Sequence, residues 1–549
     1  MVYKLLCFRE SMYPFVRILI SMTIVLGSLT SDVLSADEPC YGGTLRWGTR
    51  ARPAELNPVI TSYSVSASLF SLLFNGLVRV NGRCSIEPDL AESWEVSQDG
   101  RVYTFHLRKD VRFHDGTPCT AEDVQFTYSM ITRRAGGSPF TASMFADVGW
   151  FDVPDKYTFR IGLEKPSATF LYKMTKSIVP RHLLEGIDIT TAPFNRFPVG
   201  TGMFRFREWL PDDTFVLEAN PDYYGGRPWL DRVVVRTFED TRAVWVALMR
   251  EEIDFMLFLE QEDYEIVKQD PVFRAHAVPA DFYYALSYDL NDPVLSDLRV
   301  RRAVAHAVNI DELIGRAAAG YGRPASGPFH PDSTGFDPGV VAMSYDPDRA
   351  RHLLRSAGWQ DNDDDGIFDR NGQPLELRVL VDASRKIDQR IAMVLHQQLC
   401  TVGMQVKVVL FRDPAEVTQE FIERHRPQVM LRMMYGGILP DEARPEWDPA
   451  NARRVFNPWC SGNEEIVALF DTAQLALDEA RRAELFHEIH RRLYAEQPVC
   501  CLFFPSTFHA VAARFENTDG FFNVNMPHHT MKEWYVPQNK RKRAAADPR

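Results

Sequence analysis

Hydrophobic and polar positions change rhythm along the chain. Tyr103 to Leu107, Leu375 to Val381 and Gln405 to Phe411 alternate with period two and predict strands. Thr44 to Thr49, Phe215 to Glu218 and Arg232 to Thr237 read as strands as well. Helical spacing runs through Val65 to Leu77, Thr241 to Arg250, Arg299 to Ala319, Asp388 to Thr401 and Ile466 to Tyr494. Local signals set several boundaries. Thr120-Ala-Glu-Asp123 has the form of a capping box and opens a helix that runs to Ile131. Asp346 and Pro347 supply an N-cap and first position, and Gly358 a stop. Strand 375–381, helix 388–401 and strand 405–411 make a βαβ unit. Its strands are therefore expected to be parallel, with a right-handed crossover. The fold class is α/β.

The first 36 residues stand apart. Lys4, Arg9 and Arg17 precede an apolar run from Ile18 to Leu29, and small residues follow at Ser35 and Ala36. The run is too short to span a bilayer, which takes about 20 residues. The order is that of a secretory signal cut near Ala36. Cys40 follows Asp37-Glu38-Pro39, so no lipid anchor is expected. A periplasmic location follows, with the mature protein free of the membrane. Eight cysteines are present, Cys7 among them in the leader, and the mature number is odd, so at least one thiol stays unpaired. Cys500 and Cys501 sit in a strand-like run from Val499 to Phe504, where neighbours face opposite sides. Lys+Arg 62 against Asp+Glu 74 leaves a net charge of −12, which argues against nucleic acid as a partner. The chain closes on the basic tail 539–549, read as solvated and disordered.

Catalytic motifs are absent: no nucleophile elbow, phosphate loop or dinucleotide fingerprint. His487-Glu-Ile-His490 spaces its histidines three apart, where a zinc helix needs four. His528-His529 has no partner spacing and reads as a packed or surface pair. One loop carries chemistry. Asp361, Asp363, Asp365 and Asp369 hold the first, third, fifth and ninth positions of a calcium loop, with Gly366 at the sixth. The twelfth is Gly372 rather than Glu, so the loop either holds a structural calcium or is an Asx-rich turn. No cofactor is required otherwise.

A series of segments resembles the family 5 solute-binding proteins of ABC importers, the oligopeptide, dipeptide and nickel group. These are Gly42-Gly-Thr-Leu45, Pro88-Asp-Leu-Ala-Glu-Ser-Trp94, Asp99 to Arg108, Val111 to Pro118 and Thr120 to Val124. Gly200-Thr-Gly-Met-Phe204, Asn220-Pro-Asp-Tyr-Tyr224, Leu298 to Val304 and Tyr345 to Ala350 follow in the family's order. The resemblance covers roughly residues 42–537. It implies a two-lobed periplasmic-binding-protein fold (type II, cluster C-like) with an extra subdomain in the first lobe. Residues 37–284 with 509–538 would form that lobe, with the insertion near 85–225, and 285–508 the second. The chain would cross near Tyr283–Asp289 and Phe504–Ala510.

The implied function is capture of a peptide-like or other small organic solute between the lobes, by a monomer, and delivery to a permease. A chelated-metal or haem carrier of the same family is the alternative within the class. An exported enzyme, and a sensor or chaperone-like module, are the alternatives outside it. The second-lobe histidines show no nickel-like cluster. Peptide-binding members hold the free amine with an Asp, but the matching position here is Gly437 or Ile438. The resemblance therefore argues against a free-amine peptide unless Asp441 substitutes. Tyr435 beside Gly436, with Trp447, would supply an aromatic wall. Arg385 in the loop after strand 375–381 would hold a carboxylate. Tyr63 and Ser64 would meet the ligand from the first lobe.

Overall fold

The structure is a computed structural model. It describes residues 38–50, 52, 55–61, 64–132, 144–436, 438–448, 463–524 and 526–541. The leader, Cys460 and residues 542–549 of the tail lie outside them.

Buried apolar residues fall into separate clusters, and the clusters divide the chain. One gathers Leu45 to Phe273 with Phe508 to Val536. The others lie between Tyr283 and Phe504. Each group is the core of one lobe. In the first, Thr44–Thr49 runs parallel to Arg232–Thr237 and to Phe255–Leu259. An antiparallel sheet of four strands, with the helix Ala121–Thr132, forms the inserted subdomain. In the second, Glu376–Asp382 is parallel to Gln405–Phe411, as the βαβ reading requires. Phe282–Tyr288 pairs antiparallel with Val429–Tyr435.

One strand belongs to both lobes. Val499–Ala512 pairs through Val499 to Phe503 with Phe282–Tyr288, and through Ser506 to Ala512 with Phe273–Pro279. The chain therefore changes lobe between Pro279 and Phe282 and again near Pro505. The first change falls a few residues before the crossing expected at Tyr283–Asp289, because Phe282–Tyr288 lies wholly in the second-lobe sheet. The two crossings run side by side, with the Ala280 N–H donating to the Pro505 carbonyl at 2.9 Å. Proline has no N–H, so Pro279 and Pro505 each remove a ladder donor where the sheet passes from one lobe to the other. A thin, weakly laddered link between two cores is the physical form of a hinge. Away from it the lobes also touch. Arg390 pairs with Glu262 at 2.6 Å, the Tyr321 hydroxyl donates to Glu265 at 2.6 Å, and the Ala168 N–H donates to the Gln474 carbonyl at 2.9 Å.

Two long helices of the sequence reading are each broken. Arg299 to Ala319 is Leu298–Ala307 and Ile310–Ala317, because Asn309 leaves the helix to cap the second piece through the Glu312 N–H. Ile466 to Tyr494 is Glu464–Leu475 and Glu479–Glu496, with Asp478 capping the second through the Arg481 N–H. Polar side chains that compete for backbone donors end a helix even where the apolar spacing continues.

Candidate functional site

In α/β folds a ligand lies beyond the carboxyl ends of the parallel strands. Here those ends meet at the crossings. Tyr435 closes its strand opposite Phe282, and Leu259 closes its own opposite Phe508. Asp382 ends the strand parallel to Val429–Tyr435. These strand ends are where a ligand between two lobes would be met.

Arg385 lies there, one third exposed, but its guanidinium is engaged. Nε stands 3.1 Å from Asp382 and Nη2 3.0 Å from Asp388. Asp388 is fully buried, and burial pushes its carboxyl up to about 6 against the pull of the Arg385 charge. The helix begins at Lys386, two residues before the start expected at Asp388, so Asp388 lies in its first turn. A ligand carboxylate at Arg385 would compete with two carboxylates already in place.

Tyr435 is 59% exposed. Gly436 behind it is buried and donates its N–H to the Asp281 carbonyl at 3.0 Å. A Cβ there would lie 2.5 Å from the Pro328 carbonyl oxygen and 2.7 Å from the Tyr283 ring, so only glycine fits. Trp447 does not join an aromatic wall. It is 1% exposed and packs in the second-lobe core with Phe470 and Phe486. The turn Pro440–Glu446 points it inward. Asp441 is likewise committed: it forms an ion pair with Arg482 of the long helix, and the same turn faces Tyr172 of the first lobe. Of the first-lobe candidates, Tyr63 lies outside the described residues, and Ser64 opens the helix Ser64–Leu73.

Two acids beside these were not singled out by the sequence. Asp281 sits at the first crossing and Glu442 follows Asp441. Burial, then the neighbouring charges of Asp281 and Glu442, raise the Tyr435 hydroxyl. Burial raises the Asp281 carboxyl. Burial, then the charges of Asp281 and Asp441, push Glu442 up to about 7, although the residue keeps part of its surface exposed. Neither is paired with a lysine or arginine among the described residues. Spacing gave no signal for them: Asp281 belongs to the link between strands, and Glu442 was overshadowed by the acid before it.

In the loop 361–369, Asp361, Asp363 and Asp365 each place a carboxylate oxygen within 4.8 Å of the others. Asp369 is turned away and accepts from the Asn362 amide side chain at 3.0 Å. Positive φ at Asp364 and Gly366 folds the loop back on itself. His490 is no metal ligand. It is fully buried, and its Nδ1 accepts from the Asp337 N–H at 3.1 Å. His528 is packed against Phe521 and Trp47.

Residues 85–450 match the model of the bacterial extracellular solute-binding proteins, family 5. The chain belongs to this family. It is 26% identical over 521 residues to the oligopeptide-binding protein AppA of Bacillus subtilis, covering 93% of this chain and 94% of that one. It is 25% identical over 496 residues to the dipeptide-binding protein of Escherichia coli, covering 85% and 90%. Among solved structures, the substrate-binding protein CtaP of Listeria monocytogenes superposes with a TM-score of 0.79 at 24% identity, covering 90% of this chain and 99% of that one. B. subtilis AppA in complex with a nonapeptide gives 0.70 at 24% identity, over 91% and 100%. The two-lobed fold is thus that of the family, and the chain is a solute-binding component of an ABC importer. No helix among the described residues is long and apolar enough to cross a membrane.

Proposed function

We propose that the solute is peptide-like and carries a cationic end, held at the crossings by Asp281 and Glu442. The observation that carries this reading is the pair of carboxylates, free of any lysine or arginine partner among the described residues, beside the exposed Tyr435. An ammonium placed there gains charge-assisted hydrogen bonds that the bare pair lacks. The anchor lost at Gly437 and Ile438 is thereby replaced from the link between the lobes and from the following turn. A ligand that touches both lobes draws the hinge toward its closed form by as much as its added contacts in that form allow. Export through the leader and handover to a permease complete the reading. Native mass spectrometry of gently purified protein, followed by denaturing extraction, tests it. The expected result is a bound peptide or other amine. Extraction of a neutral or anionic solute alone would sink the reading.

The loop 361–369 is proposed as a structural calcium site, on the convergence of its three carboxylates. Binding to the folded state alone stabilises by about 2.7 kcal/mol at a hundredfold excess over Kd. Calcium added to chelator-treated protein is therefore expected to raise the melting temperature, and Asp361→Ala to abolish the rise. An unchanged melting temperature would assign the loop to an Asx turn.

A further inference from the structure

Phe258 is the one bulky residue that holds a positive φ inside a strand among the described residues. Its φ is +58°, a backbone state that L residues avoid and that bulky side chains adopt only under constraint. The others with positive φ lie in turns, loops and helix ends. The cause is a bulge. Met256 pairs with Ala510 and Leu259 with Phe508, so Leu257 and Phe258 together oppose His509. Where a bulge carries a left-handed residue, that residue is ordinarily glycine at the first of the two positions; here it is a phenylalanine at the second.

The surroundings hold the strained residue in place. The Phe258 N–H has left the ladder and donates to His509 Nδ1 at 3.3 Å. The ring meets His509 edge-on, with centroids 5.3 Å apart. His509 is fully buried, and its Nε2 lies 2.9 Å from the Thr507 hydroxyl. Burial, then the neighbouring His276, push the imidazole down to about 3. It stays neutral, and Nδ1 stays an acceptor, throughout the neutral range. His276 is its cross-strand partner and stacks on Phe522 at 3.6 Å. The buried His509 ring, backed by the half-buried His276 and Phe522, thus fixes the bulge.

The product of this arrangement is an aromatic ring that is not buried. Phe258 is 55% exposed. It stands one residue from the carboxyl end of its strand, beside the crossing strand. The helix Gln261–Val267 that follows reaches the second lobe through Glu262 and Glu265. A bulge that re-aims a side chain next to a functional site is a known use of the device. Packing does not explain a half-exposed phenylalanine held in a glycine conformation.

We propose that Phe258 is a ligand-contacting residue on the first-lobe wall of the cleft, and that it selects solutes with an aromatic or bulky apolar side chain. This rests on the peptide-like reading of the site. The test uses the full mature chain with an equimolar pool of Ala-Xaa-Ala tripeptides, Xaa being each of the common amino acids, and native mass spectrometry of what is captured. Wild-type protein is expected to enrich tripeptides with Phe, Tyr or Trp severalfold over Ala-Ala-Ala, the scale of an aromatic pair contact. Phe258→Gly is expected to lose that enrichment while still capturing tripeptides. Its melting temperature is expected to equal or exceed that of wild type, because glycine takes the left-handed state freely. Unaltered enrichment in Phe258→Gly overturns the assignment of Phe258 and leaves the peptide reading standing. A marked fall in melting temperature overturns the strain argument and makes the ring a packing element. Capture of no tripeptide by wild type overturns the peptide reading, and this one with it.

Discussion

Changing Asp281 to Asn and Glu442 to Gln together is expected to weaken binding of Ala-Ala-Ala with a free amine by about ten- to a hundredfold. Hydrogen bonds to a charged group contribute about 1.5–3 kcal/mol, and each 1.4 kcal/mol is about tenfold in affinity. Shape is nearly conserved by both changes, so the loss reports charge rather than packing. N-acetylated Ala-Ala-Ala lacks the ammonium and is expected to bind wild type and variant alike. Titration calorimetry of both peptides against both proteins reads the four affinities. An equal loss for the acetylated peptide would show that the acids shape the cleft rather than hold an amine.

The same pair sets a pH dependence whose sign can be worked out. Glu442 titrates near 7, because burial and the charges of Asp281 and Asp441 disfavour its ionised form. Above that pH it is charged and attracts a cation. Below it the proton neutralises the attraction, so the Kd for the amine peptide rises as pH falls through about 7. Stability of the empty protein responds in the opposite sense. A raised carboxyl holds its proton in the folded state at a pH where the unfolded chain has lost it, so this group favours folding as pH drops from 7 toward the ordinary carboxylate range. The proton that helps the empty protein thus hinders the loaded one.

Much of the frame was legible in the sequence because local chemistry wrote it. Asp346 and Pro347 cap their helix as read, and the strand Gln405–Phe411 runs over the residues that alternate. Cys500 and Cys501 face different cores of the second lobe, as neighbours on a strand must. The site was less legible because its meaning lies in distant partners. Asp441 looked free until the fold brought Arg482 to it from 41 residues away. Arg385 looked like a free cation, but its own strand end and helix start neutralise it. Trp447 looked like a wall because aromatic residues carry no mark of which way they turn. Phe258 looked like one more apolar residue of a strand, since a bulge depends on the register of a partner some 250 residues on.

At the opposite end of that strand, Asp254→Ala is expected to destabilise the protein by about 3–5 kcal/mol, the scale for removing one partner of a buried ion pair. Asp254 is 1% exposed. Its carboxylate accepts from Arg46 Nε at 2.8 Å and Nη2 at 2.7 Å, and from Arg514 Nη2 at 2.8 Å. It also accepts from the Arg46 N–H at 3.1 Å. One side chain thus joins Thr44–Thr49, Phe255–Leu259 and the end of Val499–Ala512. Truncation leaves two guanidinium groups together, one of them largely buried, with only the weaker attraction of Glu251 on Arg46 to offset them. Asp254→Asn keeps an acceptor and loses the charge, so an intermediate loss is expected. The carboxylate lies at the amino end of a strand whose carboxyl end faces the cleft, about 3.3 Å per residue away. Affinity of the folded variant for Ala-Ala-Ala is therefore expected to stay within twofold of wild type, read at a temperature where both are folded. Denaturant unfolding gives the stability change. A loss below about 1 kcal/mol would show that the arginines find water or other carboxylates once Asp254 is gone, and that the three strands are held by their ladders and apolar core alone.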